Sequence, residues 1–104
     1  MATINVDPGI CGMVSVVKAE SEDGQSCTVS ISSPCEAIKA MAEELKEVDG
    51  FAAAFASFAD NPVYIAAGKH YKHAACPVPS AVVKAVEVAC GLALPKDVNF
   101  KVSK

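Results

Sequence analysis

Residues 14–33, VSVVKAESEDGQSCTVSISS, decide the fold of this chain because two β-strand patterns flank a turn within them. The first half is rich in valine, and in the second half Cys27 and Val29 alternate with polar residues. A period of two is typical of a half-buried strand. Between the halves, the pair Asp23-Gly24 favours a tight reversal of the chain. The stretch therefore predicts an antiparallel hairpin.

One strand is predicted before this hairpin, and another near the opposite end of the chain. Ile4 and Val6 alternate with polar neighbours, and residues 7–9, DPG, interrupt the pattern before the hairpin begins. Residues 98–102, VNFKV, alternate in the same way. We expect residues 98–102 to form a fourth strand that pairs with the first one.

Helical periodicity replaces the period of two from Ser33 onward. Residues 33–36, SPCE, combine a serine cap, a proline at the first helical position and a glutamate three residues after the cap. The helix that begins there is expected to end at Gly50. Further helices are predicted over residues 61–70 and 76–91.

Two helical features predict the contents of the core. The polar residues of the last helix form a single narrow stripe, so we expect that helix to be buried across the sheet or in a subunit contact. Phe51, Phe55 and Phe58 have helical spacing within an alanine-rich segment. We expect these three rings to pack in the core.

These patterns predict an α+β fold in which a small, mainly antiparallel sheet carries helices on one face. The sheet is expected to contain three N-terminal strands and one C-terminal strand. The chain has 104 residues, of which 52% are hydrophobic, and a formal net charge of -3. This length leaves room for one domain, residues 1–104, and this composition excludes a disordered chain.

Charge and hydropathy exclude several classes of partner. Binding to nucleic acid requires a clustered basic face, whereas the one basic cluster of this chain, residues 69–73, is short. No apolar run approaches the roughly 18 residues that span a bilayer. Residues 1–7, MATINVD, lack the basic and apolar segments of a secretory signal. We therefore expect a soluble, cytoplasmic protein with no nucleic-acid and no membrane partner.

The chain has five cysteines, an odd number that in a reducing compartment indicates metal or thiol chemistry more than a disulfide framework. Cys11 lies just before the second predicted strand and Cys35 just after the third, so the hairpin should bring them together. Cys76 lies at a boundary between a loop and a helix. Cys27 and Cys90 fall on apolar faces, where we expect small buried side chains.

Two histidines precede Cys76. His73 is separated from Cys76 by two residues, a gap that is common in zinc sites, and His70 offers a second donor one helical turn earlier. Basic residues at the end of a helix also favour the negative end of its dipole, so a structural role for both histidines stays open. The spacing places His70 on an apolar face and makes it the more inward of the two.

The segments around three of these cysteines resemble a small family of uncharacterised proteins, a domain of unknown function found in anaerobic prokaryotes. This resemblance covers nearly the whole chain and implies no activity. It rests on Cys11-Gly12, Ser33-Pro34-Cys35, residues 73–80, HAACPVPS, and residues 91–98, GLALPKDV. The resemblance also implies a further cysteine at the position of Tyr71, and this departure removes a ligand.

The same segments resemble, more distantly, the cysteine-containing domain appended to some ribonucleotide reductases. That domain is regarded as metal-binding. Its Ser-Cys-Pro-Asp signature corresponds to Ala75-Cys76-Pro77-Val78 in this chain, with two of the four residues changed.

The residues support three hypotheses about function. In the first, Cys11, Cys35 and Cys76, with His70 or His73, bind zinc or an iron-sulfur cluster. In the second, Cys35 or Cys76 is the reactive group of a thiol redox or thiol-transfer protein. The third is a purely structural or interaction module, such as a homodimer. Whether the protein is an enzyme stays open, because the sequence has no nucleophile elbow, phosphate loop or dinucleotide fingerprint.

Overall fold

A computed structural model of the protein, which describes residues 1–104, contains a four-stranded antiparallel sheet with four helices packed on it. The sheet order is β1-β2-β3-β4. The strands are β1 (Ala2–Val6), β2 (Ser15–Glu20), β3 (Ser26–Ser32) and β4 (Glu47–Asp49). The helices are α1 (Glu36–Glu44), α2 (Gly50–Phe55), α3 (Pro62–His70) and α4 (Val78–Ala89). The predicted α+β class is confirmed.

The central hairpin of β2 and β3 forms as the sequence predicts. Its turn places Gly24 at a φ of 77°, a left-handed conformation that glycine adopts without strain. The carboxylate of Asp23 accepts hydrogen bonds from the backbone N–H groups of Gln25 at 2.9 Å and Ser26 at 2.8 Å. These bonds lower the pKa of Asp23 from its ordinary value and hold the reversal in place.

Helix α4 lies at the centre of the core and contacts β1, β2 and β3. Its buried side chains are those of Val78, Pro79, Ala81, Val82, Ala85 and Val86. Gly91, at a φ of 74°, follows the helix, and the N–H of Leu92 donates to the carbonyl of Glu87 at 2.8 Å. Both the burial of this helix across the sheet and its end at Gly91 are therefore confirmed.

Helix α3 also begins and ends where the sequence predicts. The side-chain oxygen of Asn61 accepts a hydrogen bond from the N–H of Val63 at 3.0 Å, which satisfies a free donor at the helix start. The amide nitrogen of Asn61 donates to the carbonyl of Ala53 at 2.8 Å. This buried side chain therefore joins the end of α2 to the start of α3.

The first helix is shorter than predicted, because it ends at Glu44 and not at Gly50. Residues 47–49 leave the helix and pair with β3 as strand β4. Val48 has helical spacing from Leu45, but it is also the central, inward residue of this strand. Pairing with the open edge of β3 both buries Val48 and satisfies backbone groups. Gly50 then begins α2.

The predicted fourth strand, residues 98–102, is wrong. Residues 98–102 are irregular and do not pair with β1. The fourth place in the sheet belongs to β4, at the opposite edge. A period of two describes which side chains can share a face, but it carries no information about which strand lies within reach.

The predicted burial of the phenylalanines is wrong as well. The side chains of Phe51, Phe55 and Phe58 are 47%, 69% and 77% exposed. Helix α2 has six residues and turns its small side, Gly50 and Ala53, towards the core. The rings of Phe51 and Phe55 consequently lie on its outer side, where they stack with their centroids 6.3 Å apart. Phe58 follows the helix and packs edge-on against Tyr64, with the ring centroids 5.0 Å apart.

Candidate functional site

Three side chains with sulfur or phenol groups meet where α1 begins and α3 ends. The thiol of Cys76 donates a hydrogen bond to the phenol oxygen of Tyr71 at 3.6 Å. Cys35 lies near this pair, because it lines one groove together with His70 and Lys72, the two sequence neighbours of Tyr71. All three side chains are partly buried and pack against the core. We call Cys35, Tyr71 and Cys76 the thiol cluster.

The connection between α3 and α4 brings Cys76 back to Tyr71. Tyr71 ends α3 with its N–H donating to the carbonyl of Ala67 at 2.8 Å, and its backbone then becomes extended. The chain turns, and the N–H of Cys76 donates to the carbonyl of His73 at 3.3 Å. Pro77 follows as the cap of α4. The two helix boundaries therefore determine the position of the thiol.

Cys35 occupies the N-cap position of α1, with an extended backbone and no hydrogen bond from its side chain to the helix. Its own N–H donates to the hydroxyl oxygen of Ser33 at 3.1 Å. The prediction that Ser33 caps the helix is therefore wrong. Cys35 occupies the N-cap position, and Ser33 accepts a hydrogen bond from the Cys35 backbone. The free amides of the first helical turn favour negative charge at this position.

Tyr71 is kept in its neutral form. Burial is the largest cause, and the hydrogen bond with Cys76 and the charges of the Cys76 and Cys35 thiolates act in the same direction. Together they raise the pKa of Tyr71 well above its ordinary value of 10.0, because a phenolate would be desolvated and would face negative sulfur. Tyr71 consequently keeps an O–H group that can donate to a neighbouring thiolate.

An open groove of about 400 Å³ leads from solvent to Cys35. Its other polar lining residues are Glu36, His70, Lys72 and His73, and its floor includes Ala37 and Ala40. Both predicted histidine donors therefore lie beside the same groove as Cys35. Cys76 does not line this groove, although both thiols are partly buried.

The two histidines differ in their surroundings, as the sequence predicts. His70 is partly buried and His73 is exposed. The Nε2 atom of His70 contacts the carboxylate of Glu44, which also accepts a hydrogen bond from Lys69 at 2.8 Å. Lys69 first and His70 second lower the pKa of Glu44 from its ordinary value. His70 therefore has a structural partner that joins the ends of α1 and α3.

Cys11 lies outside the thiol cluster. It is exposed on the loop between β1 and β2, and it does not line the groove. No group of three or more His, Cys, Asp or Glu side chains is arranged to hold a metal ion. The structure therefore gives no support for a zinc or iron-sulfur centre, and the predicted ligand set stays a prediction.

Cys27 and Cys90 are buried core residues, as predicted, with relative exposures of 0% and 8%. Burial raises the pKa of the Cys27 thiol to about 11, and the neighbouring Cys90 contributes to this rise through its charge and a hydrogen bond. The Cys27 thiol is therefore held in its neutral, unreactive form at physiological pH.

Sequence reasoning missed the part that Tyr71 has in the site. The family resemblance identifies Tyr71 only as a residue that replaces a cysteine ligand. In the structure, Tyr71 is the hydrogen-bond partner of Cys76. Its position immediately after a helix and five residues before Cys76 was the available signal. That spacing alone does not show that the intervening turn closes.

None of the four helices has the length and the apolar run that a membrane span needs, and the longest, α4, has 12 residues. No curated protein and no solved structure matches the chain. A family model described as a family of unknown function, DUF6951, matches residues 2–102. This range contains the whole sheet, all four helices and the thiol cluster. The chain therefore belongs to the family of unknown function DUF6951.

Proposed function

We propose that this protein acts through the thiol cluster and that its chemistry is thiol-disulfide exchange. The observation that carries the proposal is the hydrogen bond of 3.6 Å that Cys76 donates to Tyr71, with Cys35 lining the groove next to this pair. Two thiols and a proton donor are the groups that this reaction needs. The alternative thiols, Cys27 and Cys90, are buried away from any substrate.

The groove assigns the two cysteines different roles. Cys35 lines the groove, so its thiolate is the one that a substrate disulfide reaches first. Attack breaks the substrate S–S bond, forms a mixed disulfide with Cys35 and releases one substrate thiolate. Cys76 then attacks the sulfur of Cys35, releases the second substrate thiolate and leaves a disulfide between the two cysteines.

Electrons and protons balance across these two steps. The substrate disulfide gains two electrons, the two cysteines lose two, and the two protein thiol protons pass to the released thiolates. An external thiol is needed to reduce the protein again. Once Cys76 has lost its proton, the direction of its hydrogen bond with Tyr71 reverses, so that the Tyr71 O–H donates to the thiolate. Tyr71 keeps its own proton because its pKa is raised.

An aromatic disulfide reagent, dithiobisnitrobenzoate, tests this assignment because each exchange step releases one coloured thiolate. For the full chain, we expect Cys35 and Cys76 to release two equivalents and to be recovered as one disulfide-linked peptide pair. Cys76→Ser should stop at a stable mixed disulfide on Cys35. Tyr71→Phe should slow the second release by about three- to tenfold, the value of one hydrogen bond.

Cys11→Ser is the matched control, because it removes an exposed thiol outside the cluster. It should leave unchanged the two equivalents of coloured thiolate that Cys35 and Cys76 release, and the disulfide-linked peptide pair that they form. Recovery of Cys35 and Cys76 as separate mixed disulfides, or equal second-step rates for the parent and Tyr71→Phe, would contradict the proposal. Far-UV circular dichroism of each variant verifies that folding is retained.

Metal binding is the second candidate function. It is favoured by the groove that Cys35, His70 and His73 share and by the resemblance to the metal-binding domain of some ribonucleotide reductases. The exposed loop of Cys11 would have to move towards Cys76 to complete the predicted ligand set. Elemental analysis and a visible spectrum of anaerobically purified protein test it. Stoichiometric zinc or iron that is lost in Cys11→Ser would favour this candidate over thiol exchange.

A further inference from the structure

The two edges of the sheet differ in how they are protected. At one edge, β4 has three residues, two of which are the outward-facing carboxylates Glu47 and Asp49. Short length and charge are devices that keep other strands from pairing with an edge. At the other edge, β1 has the sequence ATINV, with neither a charge nor a proline. Because β1 pairs only with β2, its outer backbone groups are open to a further strand.

The segment that follows α4 has no partner of its own. No backbone hydrogen bond joins residues 93–104 to the rest of the protein. Val98, Phe100 and Val102 are 59%, 78% and 93% exposed, so the apolar side of this segment faces solvent. An unpaired segment with strand alternation leaves its apolar side chains in water and its backbone groups free to pair with another strand.

The two features match in length and in pattern. Strand β1 spans five residues, and residues 98–102 are as long. The inward-facing residues of β1 are Ala2, Ile4 and Val6, of which Ile4 is only partly buried. Alternation would place Val98, Phe100 and Val102 beside these residues and Asn99 and Lys101 beside Thr3 and Asn5 on the outer face.

The same chain is poorly placed to make this pairing. Gly24, in the turn between β2 and β3, approaches the carbonyl of Cys90, which locates the end of α4 at that end of the sheet. Ala2 pairs with Ala19 near this end, and Val6 lies at the opposite one. An antiparallel strand beside β1 would have to start next to Val6. Measured from the end of α4, this point lies roughly 17 Å along the strand direction and 10 Å across the sheet.

Leu92 is packed against the core, so only residues 93–97 remain to cover that distance. Fully extended, the six Cα–Cα steps from Leu92 to Val98 reach about 20 to 22 Å, which leaves almost no slack for passing around α4. A segment from another molecule has no such constraint.

We propose that the open edge of β1 binds residues 98–102 of a second copy of this chain as an antiparallel strand. Each copy gives its segment to the other, so the interface is symmetric and closed at two molecules. Backbone hydrogen bonds supply the pairing, and the apolar row on one face supplies the specificity, as in other cases of strand addition.

Sedimentation velocity of the full chain, in a reducing buffer that prevents disulfide-linked dimers, tests the proposal. We expect the parent protein to sediment as a dimer. Phe100→Lys should be a monomer, because it places a charge in the apolar row. Leu94→Lys is the matched control, since Leu94 is 89% exposed but lies outside the proposed strand. It should remain a dimer.

Amide hydrogen exchange gives a second readout. In the parent dimer, the alternate amides of residues 98–102 that pair with β1 should be protected. Phe100→Lys should remove this protection while far-UV circular dichroism stays unchanged. Three outcomes would overturn the proposal. They are a parent monomer whose 98–102 amides exchange freely, a monomer in which they are protected by pairing within one chain, and a dimer that persists in Phe100→Lys through another surface.

Discussion

The hydroxyl groups of Ser15 and Ser33 are hydrogen bonded at 2.8 Å, and Ser15 is fully buried. This bond closes the open end of the β2-β3 hairpin, next to the pair Val16 and Ser32. The Ser33 oxygen also accepts the N–H of Cys35. One buried side-chain contact therefore connects the sheet to the residue that begins α1 and lines the groove.

Replacing Ser33 with alanine should lower the free energy of unfolding by about 1–3 kcal/mol. The N–H of Cys35 would lose its hydrogen-bond partner, and the buried Ser15 hydroxyl would lose one of its two partners. Urea denaturation measures the difference. Ser30→Ala, at an exposed position of β3, is the control and should change stability by about 0.5 kcal/mol or less. Equal effects of the two substitutions would show that the hydroxyl contact contributes nothing.

Gly50 is required by close approach and not by backbone conformation. A Cβ atom at Gly50 would lie 2.5 Å from the sulfur of Cys90 and 3.0 Å from the carbonyl oxygen of Gln25. Gly50→Ala should therefore destabilise the protein by about 1–3 kcal/mol, the usual cost of overpacking. Thermal or urea denaturation provides the measurement.

Gly68 supplies the matched comparison, because it is helical and a Cβ atom at this position would have no neighbouring atom within 4 Å. Gly68→Ala should stabilise the protein by roughly 0.5–1 kcal/mol through helix propensity. If both substitutions shift stability in the same direction, the contact between Gly50 and Cys90 is not the deciding factor.

The Glu44 carboxylate should make stability depend on acidic pH. Its pKa is lowered in the folded protein by Lys69 and then by His70. Its contribution is therefore present above its ordinary pKa of 4.5 and is lost as the pH falls through the folded value. At pH 7, Glu44→Gln should lower the urea midpoint.

This difference should shrink as the pH is lowered through the range in which Glu44 is protonated. Glu43→Gln is the control, because Glu43 pairs only with Lys46 of the neighbouring turn and both side chains are largely exposed. Its effect on the midpoint should be smaller at every pH. A pH-independent effect of Glu44→Gln would contradict the electrostatic origin of the contact.

Cys27 should make stability depend on alkaline pH. Its pKa is raised from 9.0 to about 11 in the folded state, so the unfolded chain loses its proton first. The contribution of Cys27 is complete below pH 9 and declines as the pH rises towards 11. We expect the free energy of unfolding to fall over this interval.

Cys27→Ala should weaken that decline and should also lower stability at neutral pH by roughly 1 kcal/mol through lost packing. Tyr71→Phe, which removes the other group with a raised pKa, should leave the part of the decline between pH 9 and 10 intact. A decline of the same size in Cys27→Ala would assign it to another group.

Local sequence patterns were sufficient for the elements whose partners are near in the chain. The hairpin could be predicted because alternation and the Asp23-Gly24 turn act within one stretch. Helix α3 could be predicted because Asn61 caps the backbone two residues ahead. The burial of helix α4 could be predicted because its polar residues form one narrow stripe, and a helix that is apolar on all other sides is stable only when it is buried.

The same patterns failed where an element had to choose between partners. Val48 fits both a longer α1 and a strand, and only the free edge of β3 decides for the strand. The phenylalanine stripe has helical spacing, but whether it faces inward depends on how the short α2 meets the core. In both cases the alternatives differ by contacts with residues distant in sequence, which no local period contains.

For the candidate site, the sequence by itself determined the chemistry that is available: thiols before two helices, histidines before Cys76, and two cysteines on apolar faces that belong to the core. The tertiary structure decided which of these groups meet. It placed Tyr71 against Cys76, brought Cys35 to the groove and left Cys11 outside. The physical reason is that residue types and helix boundaries are local properties, whereas the proximity of side chains depends on turn closure and on the packing of α1, α3 and α4 around one core.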